Sequence, residues 1–303
     1  MPSTRDIRRR IGSVKNTKQI TKAMEMVAAA KMKKAQDQAL NGRPFAQSLN
    51  RTIVSLKENA GDVEHPLLEA RDGKRDLVIV INTDKGLCGG LNTNLLKAVN
   101  IEAQEHGSAG GETTYVTVGR KLRTACAKSG HELLADFTVG DPVGFAETKL
   151  VSEFAVEQFL EGSIDRVRVA FTNFVTTLTQ EPAVETLLPI NPIHLGKKKD
   201  FEGMSNEGDE EREYDGLGAG YLFEPTAKAV FEATLPMYVS YQVYQMILEA
   251  RASEHSSRMV AMKNATENAD GLIKDLTLEY NKLRQAAITN ELLEITTAMK
   301  ALE

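Results

Sequence analysis

The residues best placed to do chemistry are 83–90, with the sequence TDKGLCGG. They follow an apolar run at 77–81 that predicts a strand buried on both faces, and they precede a helical pattern that begins near Leu91. A loop between a strand and a helix is where α/β proteins bind phosphates. Its glycines, however, fit neither the dinucleotide-binding spacing nor the P-loop spacing, and no Lys-Ser/Thr pair follows. A structural turn is therefore favoured over a nucleotide site.

The cysteines and histidines form no catalytic or metal-binding pattern. Cys88 lies near a predicted helix start, where a thiol can be reactive, but a packed cysteine is the more common case. Cys126 is the other cysteine, and with no C-x-x-C motif we expect a reducing compartment rather than a disulfide framework or a zinc site. The five histidines share no metal-ligand spacing. We therefore expect no catalytic, cofactor-binding or metal-binding residue on this chain.

Composition narrows the class of protein. The 303 residues are 42% hydrophobic and 26% charged, which is typical of a soluble protein with one or two domains. A formal net charge of −5 argues against a general nucleic-acid binder. The longest strongly apolar run, residues 77–81, is far too short to span a membrane, and the amino terminus lacks the apolar segment of a secretory signal.

A long helix is predicted for residues 237–302, beginning after Pro236. At about 1.5 Å per residue it would be roughly 100 Å long, too long for the core of one domain. Apolar or small residues recur at steps of four and three, so a partner helix is expected, with local changes of supercoil between Leu276 and Tyr280 and near Ala287. The stripe consists of Ala265, Ala269, Leu272, Leu276, Tyr280, Leu283 and Ala287, then Ile288, Leu292, Ile295, Met299 and Leu302.

A second long helix is predicted from Ser3, a plausible N-cap, to about residue 58. Residues 41–44, with the sequence NGRP, are expected to kink or interrupt it, because proline cannot complete the helical hydrogen-bond ladder. Since this helix would be about 15 Å shorter than the first, antiparallel pairing leaves the far carboxyl terminus alone. Its apolar stripe consists of Ile7, Ile11, Val14, Ile20, Met24 and Val27.

Strand and helix patterns alternate between the two long helices. Strands are predicted at 77–81, 113–119, 133–139 and 166–177, with an antiparallel strand at 184–188. The alternation predicts a Rossmann-like α/β domain with a mainly parallel sheet, inserted between two terminal helices that form an antiparallel coiled coil. The predicted domains are therefore the amino-terminal helix at 1–60, the α/β domain at 61–224, and the carboxyl-terminal helix at 225–303.

Residues 197–215 stand apart from this pattern, because three lysines are followed by a run dominated by acidic residues without periodicity. They predict a mobile, solvated insertion of the α/β domain.

The amino-terminal helix is strongly basic, which leaves three interpretations. It presents a solvated face, a nucleic-acid surface, or a surface opposite an acidic protein; the lack of aromatic residues disfavours the second. Near the other end of the chain, Arg284 fits either an exposed helix arginine or a forked contact to a carboxylate. The basic residues are Arg5, Arg8, Arg9, Arg10, Lys15, Lys18, Lys22, Lys31, Lys33 and Lys34.

Several motifs together resemble the gamma subunit of the rotary F-type ATP synthases. The likeness covers nearly the whole chain, and the motifs occur in the same order. They are residues 11–24 and 26–31, residues 83–89, and residues 252–255, 258–262, 264–266 and 280–285.

The resemblance implies a non-catalytic central rotor shaft. Its partners would be a hexamer of alternating alpha and beta subunits with one copy of this chain per hexamer, the epsilon subunit, and the c-ring. The shaft would transmit rotation of the c-ring to the hexamer and regulate ATPase activity and ion flow, with Mg-ATP and ADP bound on the partner subunits. The family also implies a peripheral place on the cytoplasmic face of a bacterial plasma membrane, held only through the complex, and no nucleic acid.

The resemblance further implies contact residues. Lys18, Met24, Arg284 and Gln285 match positions that meet the alpha/beta hexamer, whereas Tyr221 and Glu224 match a segment near epsilon and the c-ring. The insertion at 197–215 is longer than in most bacterial relatives and is expected to modulate epsilon or ring contacts. Because the match begins near Met1, no organelle transit peptide is expected.

Two alternatives stay open at this point. One is a nucleotide-binding α/β protein that uses residues 83–90 and carries a coiled-coil adaptor region. The other is a basic coiled-coil adaptor on nucleic acid, which would bind DNA or RNA with a steep salt dependence.

Overall fold

The computed structural model describes residues 3–60, 65–71, 73–128, 132–191 and 223–302. The described residues form five helices and five strands. The helices are α1 (Thr4–Ala60), α2 (Leu91–Ser108), α3 (Arg123–Lys128), α4 (Phe145–Leu160) and α5 (Ala227–Leu302). The strands are β1 (Arg75–Ile81), β2 (Glu112–Val118), β3 (Glu132–Phe137), β4 (Arg166–Phe174) and β5 (Gln180–Leu188). The insertion predicted at 197–215 and Tyr221 lie outside the described residues.

The five strands form one sheet in the order β3-β2-β1-β4-β5. Three of the four strand pairings are parallel, and in the fourth β5 runs antiparallel to β4. In the centre of the sheet, Ile79 of β1 lies opposite Val116 of β2 on one side and Val169 of β4 on the other. The predicted α/β fold with a mainly parallel sheet, flanked by a long helix at each end of the chain, is confirmed.

Both faces of the sheet are covered, because alternate residues of each strand point to opposite sides. Leu77, Ile79 and Ile81 belong to the larger apolar core, to which α1, α4 and α5 contribute. Val78 and Val80 belong to the smaller core, which they share with residues of α2 and α3. This double burial explains why β1 is an unbroken apolar run rather than an alternating one.

The chain divides into two compact units. The larger unit, Ala29–Ser257, contains the sheet. The helical unit combines Met1–Ala28 with Arg258–Glu303, so it consists of the first part of α1 and the last part of α5. The three-domain division at residues 60 and 224 stays a prediction.

Helix α1 begins as predicted. The hydroxyl of Ser3 accepts a hydrogen bond from the backbone N–H of Asp6, and the Asp6 carboxylate accepts one from the N–H of Ser3. This reciprocal pair satisfies donors that the first turn of a helix leaves free.

The predicted interruption of α1 at residues 41–44 is wrong, because α1 continues through Pro44. The carbonyl oxygen that Pro44 leaves without its helical donor is that of Leu40, and contacts with α5 instead hold the neighbouring turn in place. The Tyr241 hydroxyl donates to the carbonyl oxygen of Gly42 at 3.0 Å, and the Phe45 ring lies 5.2 Å from the Tyr241 ring. A proline in a helix is tolerated where neighbouring groups bury the helix face.

The predicted start of the second long helix is also wrong, since α5 begins at Ala227 and contains Pro236. The hydroxyl of Thr226 caps the helix by accepting a hydrogen bond from the N–H of Ala229 at 3.2 Å. Phe231 and Leu235 are buried in the larger core, which stabilises the turn that precedes the proline.

Candidate partner-binding surface

In the helical unit, α1 buries a stripe whose members follow one another at steps of four and three. The predicted stripe is wrong at Ile20 and Val27, which are 60% and 56% exposed, whereas Met24 is half-buried. Polar residues occupy seam positions in this part of the helix. The stripe consists of Ile7, Ile11, Val14, Lys18, Thr21, Glu25 and Ala28.

Helix α5 carries the matching stripe. The predicted seam residue Leu272 is 48% exposed, and Ile273 is half-buried in its place. With Ile273 in the stripe, the steps from Ala269 to Leu283 alternate without a slip, so the predicted interruption between Leu276 and Tyr280 is wrong. The stripe consists of Met262, Thr266, Ala269, Ile273, Leu276, Tyr280 and Leu283, all of which are fully or partly buried.

Two polar contacts set the register of these stripes. Lys18 Nζ lies 2.6 Å from Asp270 Oδ1, and the Thr266 hydroxyl donates to the Thr21 hydroxyl at 2.8 Å. Residue numbers rise along α1 as they fall along α5, so the two helices of this unit are antiparallel. Lys18, predicted to contact a partner, is thus already paired within the chain, although 39% of its side chain is exposed.

The end of α5 is exposed on all sides. Every residue from 284 to 299 is exposed, including Arg284 and Gln285. The prediction that the far carboxyl terminus is left alone is confirmed for these residues. Their apolar side chains find no cover in the part of the chain that the structure describes, and they are Ile288, Leu292, Leu293, Ile295 and Met299. A helix end of this kind offers a docking surface for another protein.

A second apolar patch lies on α1, where Ile20, Met26 and Val27 are exposed. Basic residues of the same helix, among them Lys22, are exposed as well. Sequence reasoning missed the exposure of Ile20 and Val27 because it assigned both to the seam. Exposed apolar side chains next to charged ones on a helix are typical of a surface that binds another protein.

The remaining predicted contact residues are less informative. Glu224 is exposed, just before the start of α5, and Tyr221 lies outside the described residues. Their contacts to epsilon and the c-ring stay a prediction.

The loop at 83–90 holds a helix in place. Its turn uses positive φ angles of 63° at Leu87 and 58° at Gly89, and the Cys88 side chain is only 2% exposed. The Cys88 carbonyl oxygen accepts a hydrogen bond from the Ser257 hydroxyl of α5 at 2.7 Å. These contacts support the structural turn and the packed cysteine over the phosphate loop and the reactive thiol.

Arg251 of α5 is the centre of this contact. Its guanidinium group is 8% exposed and donates to Asp84 at 3.3 Å, to Glu254 at 2.7 Å and to the Val139 carbonyl oxygen at 2.9 Å. Burial alone would lower the pKa of Arg251, but the carboxylates of Glu254 and Asp84 outweigh burial and raise it. A fixed positive charge therefore fastens α5 to the carboxyl edge of the sheet.

Asp141 provides a similar attachment for α1. Its Oδ2 atom lies 2.6 Å from Lys31 Nζ and 3.3 Å from His255 Nε2. Burial raises the pKa of Asp141, yet the hydrogen bond from Lys31 and the charges of His255, Lys31 and Arg251 prevail and hold it below its usual value. Within the larger unit, α1 and α5 are thus both tied to loops at the same edge of the sheet.

The described residues also bear on metal binding and on membrane insertion. Among them, no group of three or more His, Cys, Asp and Glu side chains is placed to hold a metal ion. Nor does any described helix combine the length and the apolar character needed to cross a membrane.

Comparison with known proteins gives consistent similarities. The family model described as ATP synthase matches residues 3–302. The ATP synthase gamma chain of Akkermansia muciniphila is 48% identical over 303 residues, and that of Methylacidiphilum infernorum is 46% identical over 307 residues; each alignment covers 100% of both chains. The gamma chain of Heliobacterium modesticaldum is 41% identical over 303 residues, again with complete coverage of both chains.

Solved structures show the same fold. A chain of the Euglena gracilis mitochondrial ATP synthase, in a structure of OSCP, F1 and c-ring, superposes with a TM-score of 0.66 at 23% identity, covering 99% of this chain and 94% of that one. A chain of the Tetrahymena thermophila mitochondrial ATP synthase central stalk and c-ring gives a TM-score of 0.58 at 24% identity, covering 81% and 99%.

Proposed function

This chain belongs to the ATP synthase gamma chain family, and we propose that it is the central shaft that transmits rotation of the membrane c-ring to a hexamer of alternating alpha and beta subunits. It is a subunit of the F-type ATP synthase complex. One copy stands in each hexamer, where it drives the catalytic sites through their conformations in turn. In the same role it regulates ATPase activity and ion flow.

The observation that carries this proposal is the exposed end of α5. A helix whose residues 284–299 are exposed all round, with five large apolar side chains among them, is suited to insertion into a partner. Because apolar contacts are non-directional, such a surface turns inside a ring of subunits without one fixed orientation. Arg284 and Gln285 add polar contacts to beta loops at the base of this segment.

The basic face of α1 supplies the second contact with the hexamer. Lys18 and Met24 lie on the first part of α1, beside the exposed Ile20 and Val27. An acidic lever of the beta subunit is the partner of this face. Exposed ion pairs are typically worth only about 0–1 kcal/mol each, so such contacts guide a moving surface without locking it.

The larger unit, which contains the segment just before α5, meets the epsilon subunit and the c-ring. Glu224, exposed just ahead of α5, and Tyr221 take part in these contacts. The chain is then peripheral, on the cytoplasmic face of a bacterial plasma membrane, and is attached only through the complex.

Catalysis and nucleotide binding belong to the beta subunits, which hold Mg-ATP and ADP. The contacts of the loop at 83–90 support this assignment, because its buried Cys88 and its carbonyl oxygen are engaged in packing against α5. The gamma chain transmits torque and changes the conformations of the catalytic sites, and it supplies no reacting group.

Reconstitution tests the proposal. Alpha and beta subunits from the same source are mixed with the full chain, with a chain ending at Leu283, or with neither, and complex size and ATP hydrolysis are measured. We expect one full chain per hexamer with sustained hydrolysis, and weaker assembly or turnover with the shortened chain. No association, together with ATP binding by the chain alone, would favour a nucleotide-binding protein instead.

A further inference from the structure

A small cavity lies at the carboxyl edge of the sheet, beside the start of α2. Its volume is about 280 Å³, and its walls come from α2, β4, β5, the turn between these two strands, and α5. Gly90, the last residue of the loop at 83–90, lines the cavity, but Arg251 and its partners do not. Nothing in the proposed shaft function uses it.

One wall of the cavity carries a buried hydroxyl group. Thr172 of β4 is 3% exposed and lines the cavity, yet its Oγ1 atom has no hydrogen-bond partner among the described residues. Side chains alternate along β4, so Thr172 shares a face with Ala170, which packs in the smaller core with residues of α2. The Thr172 side chain therefore lies on the face of the sheet that α2 covers, and it lines the cavity together with Gly90, Leu91 and Asn94 of the amino end of α2. A buried hydroxyl without a partner destabilises the fold unless a ligand or water satisfies it.

The amino end of α2 supplies the second element of the site. Gly90 stands at the N-cap, makes no side-chain capping bond, and lines the cavity together with Leu91 and Asn94. No acidic residue lies in the first turn of this 18-residue helix. The N–H of Leu91 donates to the Cys88 carbonyl oxygen at 3.3 Å and that of Asn94 to the Gly90 carbonyl oxygen at 2.8 Å, so the backbone donors left in the first turn are those of Asn92 and Thr93. The start of a helix also carries a partial positive charge, which attracts anions.

We propose that this cavity binds a tetrahedral oxyanion, either inorganic phosphate or the phosphate of a small phosphomonoester. Thr172 donates its hydroxyl hydrogen to one anion oxygen, while N–H groups of the first turn of α2 and the amide group of Asn94 donate to others. Thr179 adds a hydroxyl group to the lining, whereas the Ser257 hydroxyl already donates to the Cys88 carbonyl oxygen. The anion thereby supplies the N-terminal cap that the sequence of α2 lacks.

The dimensions and lining exclude a whole nucleotide from the cavity. Sites for drug-sized ligands and cofactors usually measure about 300–1,000 Å³ and are lined by apolar and aromatic side chains. This cavity is smaller, and its described lining includes no aromatic residue to stack on a base. Since its described lining also has no lysine or arginine, binding rests on backbone dipoles and neutral donors.

The experiment measures binding of inorganic phosphate to the full-length chain by titration calorimetry, in chloride-matched buffer of constant ionic strength. Thr172→Val removes the hydroxyl and keeps the shape of the side chain, whereas Thr172→Ser keeps the hydroxyl. We expect the valine variant to bind phosphate about tenfold more weakly than the wild type, the effect of one lost hydrogen bond to a charged group. The serine variant should bind within about twofold of the wild type, because it retains that hydrogen bond.

A second titration with glycerol 3-phosphate, a small phosphomonoester, separates the two sources of the anion. Binding that competes with phosphate and weakens in the valine variant identifies a phosphomonoester as a ligand of the same site; phosphate binding alone identifies the free ion. Equal phosphate affinity in the wild type and the valine variant, or no binding of either anion, would overturn the proposal.

Stability without anion provides an independent check. The valine variant should unfold in phosphate-free buffer at the same urea concentration as the wild type or a higher one, because it removes an unsatisfied polar group. A clear loss of stability would mean that the Thr172 hydroxyl already has a partner, and it would also overturn the proposal.

Discussion

Lys18 of α1 and Asp270 of α5 form an ion pair across the helical unit, with 2.6 Å between Nζ and Oδ1. Farther along the same seam, the hydroxyl groups of Thr21 and Thr266 are hydrogen-bonded. Lys18, Thr21 and Thr266 occupy seam positions that coiled coils usually fill with apolar side chains, and Asp270 lies next to the seam residue Ala269. Polar residues at such positions specify register at a cost in stability. This unit is therefore built for a defined antiparallel alignment rather than for maximal stability.

The alignment makes a prediction about two neighbouring leucines. Leu276 is buried in the seam, whereas Leu272 is 48% exposed. Leu276→Ala should lower the free energy of unfolding by about 2–3 kcal/mol, because it leaves a cavity between the helices. Leu272→Ala is the matched control and should change it by no more than about 0.5 kcal/mol. Urea unfolding followed by circular dichroism checks this, and equal losses in the two variants would contradict the seam described above.

The sheet and its helices could be predicted from the sequence because burial leaves a direct pattern there. A strand covered on both faces, such as β1, must be apolar throughout, and the helices between strands follow the same logic. The seam of the helical unit could be predicted only as far as Val14. Beyond it, Lys18 and Thr21 occupy the buried positions. Ile20 fits the spacing expected of a buried residue, but it is exposed.

Long-range polar contacts could not be predicted, because they leave no pattern in the sequence. Arg251 is one arginine in a long helix, and its partner Asp84 is 167 positions away in the chain. Neither residue shows by itself that the two meet. The same limit applies to the exposed segment 284–299, whose heptad-like spacing predicts a partner helix although α1 does not cover it. Periodicity reports that a face is apolar, but not which chain covers it.

The attachment of α5 to the sheet depends on Arg251. Arg251→Met should lower the free energy of unfolding by about 3–5 kcal/mol, because the substitution leaves Glu254 and Asp84 without the charge that compensates their burial. Arg120→Met is the matched control, since Arg120 also approaches Asp84, at 3.5 Å, but is largely exposed. The control should cost less than about 1 kcal/mol.

A double variant separates packing from charge at this position. If the loss in Arg251→Met arises from uncompensated carboxylate charge, then adding Glu254→Gln should recover part of it, since the two residues are coupled. Additive losses in urea unfolding would mean instead that Arg251 acts mainly through its packed side chain.

Asp141 predicts a pH dependence of stability. Its pKa is lower in the folded chain than the ordinary value of 3.8, chiefly because Lys31 outweighs the opposing effect of burial. The folded state then binds fewer protons at this carboxyl than the unfolded state, so its contribution is present above about pH 4 and is lost as the pH falls through the folded pKa. Asp141→Asn should flatten the acid limb of the stability curve, whereas Asn in place of the exposed Asp37 on α1 should leave it unchanged. An unchanged acid limb in Asp141→Asn would contradict the assignment.

Substitution of Arg284 tests the proposed function as a rotor shaft. It is exposed at the base of the uncovered end of α5, so Arg284→Ala should leave the fold and the free energy of unfolding within about 0.5 kcal/mol of the wild type. In the reconstituted complex the same variant should lower ATP-driven turnover or coupling by about tenfold, the effect expected when one charge-assisted contact to a beta carboxylate is lost.

The neighbouring Lys282 gives the control that decides the interpretation of the Arg284 result. Lys282 is exposed on the same helix, and Lys282→Ala removes a positive charge of the same sign close to Arg284. If turnover falls in Arg284→Ala alone, the forked guanidinium contact carries the effect, because Lys282→Ala changes the local charge equally. If both variants lose turnover alike, general electrostatic attraction is responsible and the loss should diminish with added salt. Loss of the folded α/β domain in Arg284→Ala would count against the placement of this residue at a partner contact.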